Sequence, residues 1–148
     1  MQEFKLTAGD RIADRYTVTR HLGSAAFSRA VAATDAARDG APVCLKVIRS
    51  NKDFFDQSLD EIKLLQRVNE ADADDAAGVV RLFDFFYWRE HLVLVTELLH
   101  LNLYQVVRRS AELGEQYFTV PRVRAIAAQV RPPLPLSVHM HTCTVPRV

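Results

Sequence analysis

The chain has 148 residues, of which 19 are Lys or Arg and 18 Asp or Glu, a net charge of +1. That balance gives no footing for nucleic acid or for a charged membrane surface, and no apolar run approaches the roughly 20 residues a bilayer span needs. With 49% apolar and 25% charged residues, the sequence fits one modest globular domain with a core of its own.

In chain order, Tyr16–Leu22 alternates apolar with polar residues and predicts a strand. Gly23 interrupts the pattern and Phe27–Thr34 resumes it, so the two read as a hairpin turning through Gly23–Ala26. Arg38-Asp39-Gly40 is a turn signal, and Pro42 can start a strand but not occupy its middle. The run Val43-Cys44-Leu45-Lys46-Val47-Ile48 follows, nearly continuous in apolar residues apart from one lysine. Asp53 is the expected N-cap of a helix through Val68, with Glu61, Leu64, Leu65 and Val68 on one face. Residues 70–78 read as a loop, Val79–Phe85 and His91–Leu98 as strands joined by residues 86–90, and Asn102–Ala111 and Pro121–Gln129 as helices. The fold class expected is α+β, with five antiparallel strands and one helix packed on them.

Three features carry chemistry. Leu22, Gly23, Ser24, Ala25, Ala26, Phe27, Ser28 and Ala30 make a loop of small residues whose backbone can approach a phosphate, with an aromatic to cover it. Lys46 sits between apolar strand neighbours, where an ammonium must reach an edge or be paired. Glu61 brings a carboxylate to the helix face that bears Leu64 and Leu65. Alone, each has a plainer and commoner reading: a turn that needs glycine, an edge-strand lysine reaching water, a wet boundary carboxylate. In this order, they are the phosphate-handling layout of protein kinases, the lysine neutralising phosphate charge and the glutamate holding the lysine.

Residues 43–48 and 51–65, Arg89-Glu90-His91-Leu92, Glu97-Leu98-Leu99 and Asn102-Leu103-Tyr104 resemble the third strand, αC helix, fifth-strand entry, hinge and αD start of dual-specificity tyrosine-regulated (DYRK) kinases. The resemblance covers residues 12–129 and implies a kinase N-lobe with the first C-lobe helices. It also implies ATP as ligand, with magnesium, and protein hydroxyls as substrates of a serine/threonine or dual-specificity kinase. By the same likeness Gly23, Ala25, Phe27 and Ser28 cover the phosphates, with Ala25 and Ser28 standing where most kinases have glycine. Ala30 would lie beneath the adenine and Cys44 above it. Lys46 would bind phosphates, Glu61 would pair with Lys46, and Thr96 would be the gatekeeper. Glu97 and Leu99 would offer the backbone groups that bond adenine.

No His-Arg-Asp or His-Cys-Asp catalytic loop and no Asp-Phe-Gly occurs among these residues, so no catalytic base and no magnesium ligand is assigned. Asp35, Asp39, Asp72, Asp74 and Asp75 are expected in loops away from any metal position. The αE-like pattern ends at Gln129, where Val130-Arg131-Pro132-Pro133 cannot continue a helix, and residues 130–148 read as an irregular tail. The codons of Gln129-Val130 permit a splice donor, and a two-base shift over residues 139–144 permits Ala-Tyr-Leu-His. A truncated kinase that is inactive alone is therefore expected, exposing the inner face of the helix from Asp53 and the apolar residues of Pro121–Gln129. A non-catalytic interaction module or a frame artefact is the alternative. Cys44 and Cys143 lack metal-ligand spacing and no secretory leader is evident, so an intracellular setting, cytoplasm or nucleus, is expected.

Overall fold

The structure is a computed structural model that describes residues 5–129; the proline-containing tail and Cys143 lie outside the described residues. The elements in order are β1 (Arg11–Ile12), β2 (Tyr16–Ser24), β3 (Ser28–Asp35), β4 (Ala41–Ile48), α1 (Lys52–Ala71), β5 (Leu82–Trp88), β6 (His91–Glu97), α2 (Leu103–Glu112) and α3 (Val120–Gln129). They fall into two compact units, residues 5–71 with 81–98, and residues 72–80 with 99–129.

The first unit is an antiparallel sheet in the order β1-β2-β3-β4-β6-β5 with α1 packed on it. The sheet has six strands rather than the expected five. The extra one, β1, pairs only Arg11 and Ile12 with Thr17 and Tyr16, too short a segment to show a period of two. On β4 Val43, Leu45 and Val47 are buried while Cys44 and Lys46 stay half-buried, the alternation a pleated strand dictates. The first set joins Ile12, Tyr16, Val18, Val31, Val93 and Val95 in the main core. On the other face, Ile48, Leu92 and Leu94 pack against Ile62 of α1, with Phe54, Phe55 and Leu59 around them.

The sheet curls until non-neighbouring strands meet. The rings of Tyr16 on β2 and Phe86 on β5 stack with centroids 5.5 Å apart and planes 1° from parallel. Arg15, just before β2, donates 2.7 and 2.8 Å hydrogen bonds to the two oxygens of Asp35 and a 2.7 Å bond to Asp84 on β5. Asp35 is the last residue of β3 and fully buried, not a loop aspartate as expected. Its charge is tolerated because guanidinium and backbone, including the Ala37 N–H at 3.0 Å, fill its lone pairs. The Arg15 guanidinium accordingly holds the Asp35 carboxyl below the usual range, against the opposing effect of burial.

Element ends differ from expectation for local reasons. The cap of α1 is Asn51, whose Oδ1 accepts from the N–H of Asp53 at 2.9 Å and Phe54 at 3.4 Å; Asp53 is inside the helix. Strand β5 runs through Phe86, Tyr87 and Trp88, and the turn is only Arg89-Glu90, both at positive φ, 44° and 64°. A two-residue turn with both centres left-handed matches the twist of its flanking strands, but neither residue is the Asn or Gly that announces one. At β5, the edge of the sheet, the Phe85 N–H donates to Asp84 Oδ1 at 2.8 Å. Asn69 ties the end of α1 to β5 by accepting the Leu82 N–H at 2.8 Å. Gly40, at φ 75°, closes the turn into β4 by donating its N–H to Asp35 O at 2.9 Å.

In the second unit α2 is capped reciprocally. Asn102 Oδ1 accepts from Gln105 N at 2.8 Å and Gln105 Oε1 from Asn102 N at 3.0 Å. Pro121 lies in the first turn of α3, as expected. Among the described residues no helix is long and apolar enough to cross a membrane.

Candidate functional site

The β2–β3 hairpin, the middle of β4 and the inward face of α1 converge. The register sets Gly23 opposite Ala30, Ala30 opposite Lys46 and Lys46 opposite Leu94. One step along, Ala32, Cys44 and Thr96 form the parallel row. Directly paired residues share a face, so Ala30, Cys44, Lys46 and Thr96 all stand on the α1 side of the sheet. Ala30 and Cys44 therefore line one wall and do not lie on opposite sides of a ring between them, as the expectation had it.

Lys46 Nζ donates to both carboxylate oxygens of Glu61, each at 2.6 Å. The two side chains keep 25% and 33% of their exposure, so the pair is half-sheltered rather than sealed in the core. The helix face is rotated slightly from the one expected. Its fully buried members are Ser58, Ile62 and Leu65, whereas Leu64 and Val68 are half-buried. Ser58 is accommodated because its hydroxyl donates to Phe54 O at 2.7 Å. The inner face of α1 is thus buried rather than exposed, a correction to the expectation; on α3 Val123 is exposed, whereas Ile126 is half-buried.

Gly23 and Ser24 belong to β2, and the turn itself is Ala25-Ala26-Phe27, closed by the Ala25 N–H bonding Ser28 O at 2.8 Å. Gly23 is not there to permit a turn. Its φ is not positive, and a Cβ placed on it would meet nothing within 4 Å, so it leaves open space above the sheet. Leu22 is half-buried, Ser28 buried and Ala26 exposed, while Ser24 Oγ meets His21 Nε2 at 3.1 Å. Phe27, 40% exposed, sets its ring centroid 5.6 Å from Lys46 Nζ.

Burial pushes the Cys44 thiol up, opposed by the hydroxyl of Thr96 and the charge of Lys46. The Thr96 hydroxyl donates to Glu97 O at 3.3 Å, and the Glu97 N–H is bonded to Arg81 O at 3.0 Å. Leu99 belongs to the second unit and is 41% exposed. Among the described residues no group of three or more His, Cys, Asp or Glu is placed to hold a metal ion.

The curled antiparallel sheet with a single helix delivering a carboxylate to a strand lysine is the architecture of a protein-kinase N-lobe. No family model matches the chain. It is 35% identical over 128 residues, 86% of its length, to a probable serine/threonine-protein kinase dyrk2 of Dictyostelium discoideum. It is 39% identical over 112 residues, 76% of its length, to the DYRK-family kinase pom1 of Schizosaccharomyces pombe. To dual specificity tyrosine-phosphorylation-regulated kinase 4 of Homo sapiens it is 37% identical over 121 residues, 82% of its length. The chain belongs to the DYRK-type protein kinases. It spans 14%, 10% and 22% of the length of these three relatives, respectively.

Proposed function

We propose that residues 12–129 carry the ATP-binding part of a serine/threonine or dual-specificity kinase acting on protein hydroxyls inside the cell, in cytoplasm or nucleus. The observation that carries this reading is the Lys46–Glu61 pair, held at 2.6 Å with both side chains still partly exposed. Glu61 fixes the ammonium, and Lys46 offers its remaining donors to the α- and β-phosphates. Gly23 keeps open the space those phosphates need, and Ala25, Ala26 and Ser28 keep the loop small. Ala30, Cys44 and Thr96 form the wall for the adenine ring, with the backbones of Glu97 and Leu99 as its polar partners. ATP supplies the γ-phosphoryl group, and magnesium would be held by groups other than those described here.

The test is a titration of the 148-residue chain with ATP. Lys46→Ala abolishes binding in this reading, whereas Lys52→Ala leaves it near wild type; equal effects of the two would overturn it. With no catalytic base or Asp-Phe-Gly sequence among its residues, this polypeptide alone binds ATP without transferring phosphate. Steady incorporation into a basic protein substrate, lost on Lys46→Ala, would refute that part. A second reading, a non-catalytic binding module, draws on Phe83, Phe85 and Tyr87, exposed at 39%, 40% and 63% along β5. Such a module needs no affinity for ATP, so the same titration separates the two.

A further inference from the structure

Phe27 is the tip of the β2–β3 hairpin, and its position is set by two contacts. Its carbonyl accepts the Arg49 N–H at 2.9 Å, tying the tip to the chain that leaves β4. Its ring meets Phe54 with centroids 6.0 Å apart and planes tilted by 51°. Phe54 lies in the first turn of α1, seven residues before Glu61 and therefore on the same side of the helix two turns away. One helix thus reaches Lys46 twice. Glu61 does so directly, by hydrogen bonds to Nζ. Phe54 does so through Phe27, the ring it backs being the one 5.6 Å from that same nitrogen.

We infer that Phe54 is a positioning residue for the phosphate end of the nucleotide: it holds Phe27 over the Lys46 ammonium and so keeps the hairpin closed on the phosphates. The inference rests on the ATP reading above. A turn made of Ala25, Ala26 and a half-exposed Phe27 has little packing of its own to fix it. Ordering it when phosphate arrives costs conformational entropy. The contact with Phe54 meets that cost in advance, which is what preorganisation means for affinity. Because the contact bears on Lys46 and not on the Ala30, Cys44 and Thr96 wall, its loss is felt by phosphates and not by adenine. The helix position and the loop position also become linked, since a shift of α1 loosens Glu61 and Phe54 together.

The experiment is to titrate the full 148-residue chain with adenosine, ADP and ATP. Phe54→Ala is expected to weaken ATP and ADP by about 2- to 10-fold, the range one aromatic pair contributes, and to leave adenosine unchanged. Phe54→Leu, which keeps apolar packing under the sheet but removes the ring, gives the same selective loss if the alanine variant folds poorly. Phe54→Tyr restores wild-type ratios. Phe27→Ala reproduces the loss, and combining it with Phe54→Ala adds nothing further. Equal losses for adenosine and ATP, or additive effects of the two substitutions, would make Phe54 a packing residue only and overturn the inference. Absence of ATP binding, or binding that Lys46→Ala does not weaken, overturns the ATP reading and the inference with it. Lys46-dependent binding without phosphate-selective loss in Phe54→Leu overturns the inference alone.

Discussion

Arg15 holds Asp35 by two parallel hydrogen bonds of 2.7 and 2.8 Å, with the carboxylate fully buried at the end of β3. The same guanidinium bonds Asp84, whose side chain is 38% exposed. Asp35→Asn removes a charge from the buried end and leaves the guanidinium half-answered, so it is expected to cost about 2–3 kcal/mol. Asp84→Asn, on the wetter arm, is expected to cost about 1 kcal/mol or less. Urea unfolding of the two variants checks the order, and the reverse order would show that Asp84 anchors the curl.

The same cluster sets the pH limits of stability. The Asp35 carboxyl is held below its ordinary value chiefly by Arg15, so its contribution is fully present above about pH 4, the unfolded value, and is lost as pH falls further. The melting temperatures of wild type and Asp35→Asn should converge in that acid range. Tyr16 is pushed up to about 12, chiefly by burial, with Asp35 and Asp84 adding to the effect and Arg15 opposing it. The unfolded phenol ionises near 10, so stability falls between about pH 10 and 12, where the folded ring still holds its proton. Tyr16→Phe should lack that additional alkaline loss.

Glu61 separates stability from binding. Its pair with Lys46 is a quarter to a third exposed, and such pairs contribute about 1 kcal/mol or less to folding. Glu61→Ala should therefore shift the unfolding midpoint little while weakening ATP by about tenfold, roughly 1.4 kcal/mol, since Lys46 loses its orientation. A variant that melts early and binds normally would assign Glu61 a purely structural role.

Ile62 packs α1 on the sheet and Leu65 is buried on the same helix, 3% and 1% exposed, whereas Val123 of α3 is 47% exposed. Leu65→Ala should cost about 2–4 kcal/mol and Val123→Ala less than about 0.5 kcal/mol, measured by thermal or urea unfolding.

The parts of this design visible in the sequence are those whose signal is local or whose misfit is conspicuous. Lys46 stood out because a cation in an apolar strand demands an explanation, and Glu61 because helical spacing put a carboxylate beside apolar residues. The Arg38-Asp39-Gly40 turn is written in neighbouring residues; the helix expected from Asn102 begins one residue later, with Asn102 as its cap. The Arg15–Asp35–Asp84 clamp is not, because its members are 20 and 69 residues apart and each looks like an ordinary surface charge. The Arg89-Glu90 turn escaped for a different reason: strand twist forces its left-handed backbone, and no permissive residue marks it. Asn51 and Asp53 are both good caps by type, and only the hydrogen bonds decide between them. Phe54 carried no signal of its own in the sequence, and its place beside Phe27 is set by the packing of α1 against the hairpin tip.

Asp84 has a consequence for how copies of this chain meet one another. β5 is the richest strand in aromatic residues and stands at the sheet's margin, a combination that invites another extended chain to zip alongside. One oxygen of Asp84 occupies the Phe85 N–H while the other is tied to Arg15. An incoming strand would find that donor taken and a carboxylate held beside it by Arg15. The carboxylate that Arg15 reaches across the curl also keeps strangers from lengthening the sheet.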